Sequence, residues 1–216
     1  MATYEATTRF LDLMEVLSNV YGVLPIEEAR KIWNIYEKPF EENWEPWESG
    51  YFRSFLEAAV KTMKNGPNPY NKPMRFDLWD DNLVLRNLTE EQYKKIRNLA
   101  EGRYYIPNWR ECDSLIRHGY VQSEATERLR DFLIHDLDFS MEDAEKKICE
   151  FYASYNTGME LLDPPAKLLI EEGIEMDEID GSMWEEKLGP ISLDLFNETM
   201  LKAFGGFSRK QNMQNI

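Results

Sequence analysis

The chain has 216 residues, 43% hydrophobic and 30% charged, with a formal net charge of −15. That balance excludes a disordered chain and a membrane protein, since no stretch approaches the roughly 18 apolar residues of a membrane span. An acidic chain is repelled by a phosphate backbone, which disfavours direct nucleic-acid binding.

Residues 8–21 read as a helix, because Phe10, Leu13, Met14, Leu17 and Val20 recur at helical spacing. Gly22 ends it, Pro25 takes a first-turn position, and Ile26, Ala29, Ile32, Trp33 and Tyr36 form the next apolar stripe. The pair reads as a helical hairpin or helix-turn-helix. Residues 38–49 read as irregular, with Phe40, Trp44 and Trp47 among prolines and glutamates. Residues 51–64 form a third helix, closed by Asn65-Gly66, and the run from Pro67 to Pro73 is a loop. Alternation at Met74, Phe76 and Leu78, a turn at Asp80-Asp81-Asn82 and the return Leu83-Val84-Leu85 predict one small β-hairpin near residues 74–88.

Helices follow to the end. Thr89 with Gln92, and Asn108 with Glu111, make capping boxes for residues 89–101 and 109–118. Ser123 opens 124–137, Ser140 and Asp143 cap a long helix carrying Ala144, Ile148, Phe151, Tyr152 and Tyr155, and Asp163-Pro164 starts a short one ended by Gly173. Residues 175–187 are ambiguous and very acidic. Pro190 opens a final helix through Leu193, Phe196, Met200 and Phe204, and the tail to Ile216 reads as loose. The expected fold is mainly α, about eight helices with one hairpin. It is either one domain or two lobes, 1–66 and 67–216, the second ending in an acidic helical part.

The start, from Met1 to Leu17, has Glu5, Asp12 and Glu15 against Arg9 alone, which reads as neither a signal nor a transit peptide. With that, Cys112 and Cys149 are expected as reduced thiols in a cytoplasmic protein. Chemistry is sparse. His118 and His135 fall on different predicted helices, and no HExxH, CxxC, GxSxG or phosphate loop occurs. The His135-Asp136 doublet lacks the further histidines of a metal phosphohydrolase shell. The acidic turn from Asp177 to Ser182 fails as a calcium loop: with Gly181 at the sixth position, Met176 and Lys187 would have to be ligands. No metal, cofactor or catalytic group is assigned.

Charge is unevenly placed. Residues 1–60 hold 11 acids and 5 bases, residues 61–120 hold 8 and 11, and residues 121–216 hold 21 and 9. From Asp138 to Glu186 there are 15 acids and 3 bases. Helical carboxylates three or four positions apart stand about 5–6 Å apart, near the phosphate spacing of a nucleic-acid strand. The alternative reading is an acidic face that serves solubility.

The segment from Tyr21 to Ala29 (Tyr-Gly-Val-Leu-Pro-Ile-Glu-Glu-Ala), with Tyr105-Ile106-Pro107, resembles a loose group of uncharacterised acidic helical proteins of gut Firmicutes and their mobile elements. The resemblance implies a bacterial or phage origin and assigns no functional residue.

The expectation is a non-enzymatic binding protein whose partner has a basic surface. One version is a phage or mobile-element inhibitor that mimics nucleic acid toward a nucleic-acid-handling enzyme, as some anti-CRISPR proteins do. The candidate contacts are Glu142, Glu145, Glu171, Glu172, Asp177, Glu178 and Asp180, with Trp44 and Trp47 as a second surface if exposed. One alternative is a DNA-binding regulator using the 8–37 hairpin and the bases Arg75, Arg86, Lys94, Lys95, Arg97 and Arg103. The other is an enzyme with a carboxylate-based metal site.

Overall fold

A computed structural model describes residues 4–40, 44–65, 75–100, 102–161, 163–171, 183–202 and 205–214. Helix α1 spans Tyr4–Tyr21 and α2 Ile26–Glu37; between them Val23–Pro25 is a strand, β1. A single 3-10 turn, Lys38–Phe40, precedes α3, Ser49–Asn65. Strands β2, Phe76–Trp79, and β3, Asn82–Leu85, are followed by α4, Glu90–Ala100, and α5, Trp109–His118. Then come α6, Glu124–His135, α7, Met141–Asn156, and α8, Asp163–Glu171. A π-helical turn, Met183–Leu188, leads into α9, Gly189–Glu198, and α10 spans Arg209–Gln214. The architecture is mainly helical with a small antiparallel sheet, as the apolar periodicity predicts.

The hairpin gains a third strand. Its order is β1-β3-β2, with Val23 opposite Val84 and Phe76 opposite Leu85. Val-Leu-Pro is too short to show a period of two, so the sequence reads it as a turn. Gly22, at φ +69°, closes α1 and swings the chain into the strand. Strand alternation then sorts the side chains. Leu24, Leu83 and Phe76 enter the main core, while Val23 and Val84 form a second cluster with Tyr93, Trp79, Leu88 and Ile96. The sheet is thereby packed between α4 and the helical body.

The main core is continuous from Phe10 on α1 to Met200 beyond α9, and the β1–β3 pairing joins residues on both sides of the 66/67 position. Phe10, Leu13, Met14, Leu17 and Tyr21 on α1 are fully buried. Asn156, at the end of α7, donates to the carbonyls of Val20 (3.0 Å) and Met200 (2.7 Å), tying α1 to the C-terminal segment.

The C-terminal expectation needs correcting. Helix α9 stops at Glu198 rather than running to Phe204. Thr199 turns extended (ψ 131°) and its hydroxyl donates to the Leu195 carbonyl. Met200 is buried, but in a bridge to Ser208 rather than in a helix, so burial mimicked helical period. Of the tail, residues 207–214 are docked rather than loose, and 215–216 lie outside the described residues: the Arg209 guanidinium lies 3.3 Å from the centre of the Phe196 ring and donates to the Phe196 carbonyl.

Candidate functional site

Two capping boxes and one simple N-cap place the helices α5, α6 and α7. Asn108 accepts from the Glu111 amide at 3.1 Å, Ser123 caps α6 with Thr126, and Ser140 accepts from the Asp143 amide. A helix begun at Ser123 turns Glu124, Glu127 and Asp131 to one side, spaced three and four apart, and all three are exposed. Past the end of α6, Asp138 and then Glu142 and Asp143 on the first turn of α7 are exposed too. The carboxylates in these first turns also lie at the positive ends of their helix dipoles, which favours them there independently of any partner.

The sequence-predicted contacts divide into three groups. Glu142 is exposed. Glu145 and Glu171 already have partners. Arg130 Nε donates to Glu145 at 2.6 Å, the Tyr120 hydroxyl donates to the same carboxylate, and His118 Nδ1 lies 3.8 Å away. Burial pushes the Glu145 carboxyl up, but the Tyr120 and Arg130 bonds outweigh it and hold it below the usual range. Glu171 bonds Lys147 at 2.8 Å, with Lys167 at 3.6 Å, and its carboxyl is lowered by the Lys147 bond. Glu172, Asp177, Glu178 and Asp180 lie outside the described residues.

Trp44 and Trp47 are half-buried and pack on the core. The Trp47 ring stacks on Phe10 at 5.7 Å and meets Trp33 at 5.1 Å; Trp44 meets Trp33 edge-on at 6.5 Å. Asn34 brackets the Trp47 backbone, accepting from its amide (2.9 Å) and donating to its carbonyl (3.2 Å), and Arg30 donates to that carbonyl at 2.8 Å. The loop is therefore fastened to α2 by its tryptophans and its backbone. The exposed aromatic rim belongs to Tyr51 (48%) and Phe40 (44%), the latter under the Arg9 guanidinium at 4.5 Å. No sequence signal separated Phe40 from Trp44 and Trp47, because all three fall in a segment without helical or strand period.

The basic residues of the middle third are spread over several elements. Arg75 pairs with Glu15 (3.5 Å) and Lys94 with Glu90 (2.6 Å). Only Arg97 of the six lines a described cleft. On α2, Arg30 and Lys31 are paired to Glu27 and Glu28 within the helix.

Cys112 is buried and its thiol is pushed up to about 12, by burial first and then by Glu111 and Asp113. Cys149 is half-buried, with burial raising its thiol. Among the described residues no three His, Cys, Asp or Glu side chains converge into a group that could hold a metal ion, and no helix is long and apolar enough to cross a membrane. No family model matches the chain, and neither a curated protein nor a solved structure matches it.

Proposed function

We propose that this is a non-enzymatic acidic binding protein that engages a partner with a basic surface. In its most concrete form it is a bacterial, phage or mobile-element inhibitor whose carboxylates stand in for the phosphates of a nucleic acid in the groove of a nucleic-acid-handling enzyme. The observation that carries the reading is the exposed row Glu124, Glu127 and Asp131 on α6, with Asp138 and Glu142 also exposed further along the chain. On α6 itself the two arginines are engaged, Arg128 with Asp194 and Arg130 with Glu145, while the exposed Lys146 on α7 shares a cleft with Asp138 and Asp143. A row held on capped helices is pre-organised, which lowers the entropy cost of docking. Electrostatic complementarity of this kind speeds encounter and weakens with salt.

Relative to the sequence reading, the surface is re-centred on the N-terminal half of α6 and the start of α7. The test is capture of partners from bacterial lysate on tagged protein, with and without nuclease, at low and moderate salt. The proposal expects one stoichiometric protein with a basic surface, retained after nuclease and released by salt. Nucleic acid that is retained and then lost to nuclease would instead favour a DNA-binding regulator.

A further inference from the structure

A cleft of about 650 Å3 opens between the start of α2, the tip of the β2–β3 hairpin and the second half of α4. That volume falls within the range of about 300–1,000 Å3 typical of small-molecule sites. Its lining carries opposite charges on different elements. Glu28 on α2 and Asp81 at the hairpin tip supply carboxylates; Arg97 and Asn98 on α4, and Tyr104 beyond it, supply donors.

The two sides differ in how far their polar groups are already used. Glu28 accepts from Lys31 at 2.8 Å and Asp81 from Arg53, each single pair leaving further lone pairs on the carboxylate. Among the described residues, no carboxylate pairs with Arg97, and neither the Tyr104 hydroxyl nor the Asn98 side chain has a hydrogen-bond partner. Tyr104 is half-buried and senses both sides: burial raises its phenol, Arg97 lowers it, and Tyr93 and Glu28 raise it again.

We propose that this cleft binds a small zwitterion of the α-amino acid or dipeptide class, its carboxylate received by Arg97, Tyr104 and Asn98 and its ammonium by Glu28 and Asp81. Glu28 and Asp81, each offset by one neighbouring cation, keep free lone pairs that suit an ammonium, and Arg97 has no carboxylate partner among the described residues, so a ligand carrying both charges uses both sides of the lining. A guanidinium and a phenol together suit the planar, two-oxygen geometry of a carboxylate. The site is separate from the acidic row on α6 and does not depend on the function proposed for it.

The probes are the twenty amino acids and a mixed dipeptide set, each at millimolar concentration, scored by the shift in melting temperature and then by calorimetric titration. The proposal expects a subset to raise the melting temperature with one saturable site. N-acetylated and C-amidated forms of the same compounds should bind at least 10-fold more weakly. Arg97→Ala and Glu28→Gln should each weaken binding by a similar factor with an unchanged circular dichroism spectrum, and Asn98→Ala provides an independent lining variant should either of those fail to fold. Absence of any binder at 1 mM, equal binding of the blocked forms, or full binding to Arg97→Ala overturns the proposal. Neutralising the α6 row should leave this binding unchanged, so failure here and failure of the acidic-surface reading are distinguishable.

Discussion

The Tyr120 hydroxyl, from the turn before α6, donates to the Glu145 carboxylate on α7, and Arg130 on α6 donates to both the Glu145 carboxylate and the Tyr120 oxygen. Sequence alone presents Glu145 as one more exposed acid. The fold makes it the centre of a network that fixes α6 against α7.

Glu145→Gln and Tyr120→Phe should each lower stability at neutral pH by about 1.5–3 kcal/mol, the range for hydrogen bonds to a charged group. Because the folded carboxyl is held below its unfolded value, its contribution is complete above the ordinary glutamate pKa and is lost as pH falls through the depressed one. The difference between wild type and Glu145→Gln should therefore close in acid. Urea unfolding at a series of pH values checks both parts; a gap that persists or widens in acid contradicts them.

Asn156→Ala should cost about 2–4 kcal/mol. It removes both hydrogen bonds of one buried amide and leaves the Val20 and Met200 carbonyls without that donor. Asn156→Asp should be no better, because a carboxylate offers these carbonyls no donor. Denaturant midpoints at constant slope measure the loss.

Gly206→Ala should destabilise by about 1–3 kcal/mol or more from overpacking alone. Gly206 sits at φ +84°, and an added Cβ would lie 2.3 Å from Cε1 of Tyr21, a buried ring on α1. Strain at positive φ adds to the clash. A control at Gly158, also at positive φ but with nothing within 4 Å, should cost less. Equal losses at the two positions would remove the Tyr21 contact as the cause.

Thiol labelling should separate the two cysteines. Cys149 is half-buried and should react slowly in the native state, while Cys112 should react only on unfolding, because burial disfavours its thiolate. Reagent titration with and without denaturant, followed by peptide mapping, decides it. Native labelling of Cys112 ahead of Cys149 would contradict the burial seen here.

Much of the fold was legible because it rests on local rules. The stripes of α1 and α2 and the capping pairs at Thr89, Asn108, Ser123 and Ser140 announce helices within a few residues of their bounds. What was not legible depends on distant chain. Strand β1 exists because β3 lies beside it, and three residues carry no period of their own. Met200 kept helical spacing from Phe196 although the chain had turned extended at Thr199. At the candidate surface, exposure at Glu142 followed from its place in a first turn. The engagement of Glu145 by Tyr120 required a contact 25 residues away, and Trp47 is packed on Phe10, 37 residues before it.

The central claim is that exposed carboxylates on α6 and α7 bind a basic partner, and neutralising them tests it most directly. Glu124→Gln, Glu127→Gln, Asp131→Asn and Glu142→Gln combined keep side-chain size and leave the Tyr120–Glu145–Arg130 network in place. The measurement is the dissociation constant for the captured partner, wild type against this variant, at two salt concentrations. The predicted result is at least 10-fold weaker binding by the variant and a shallower salt dependence. Equal affinity and equal salt dependence for the two proteins would contradict it.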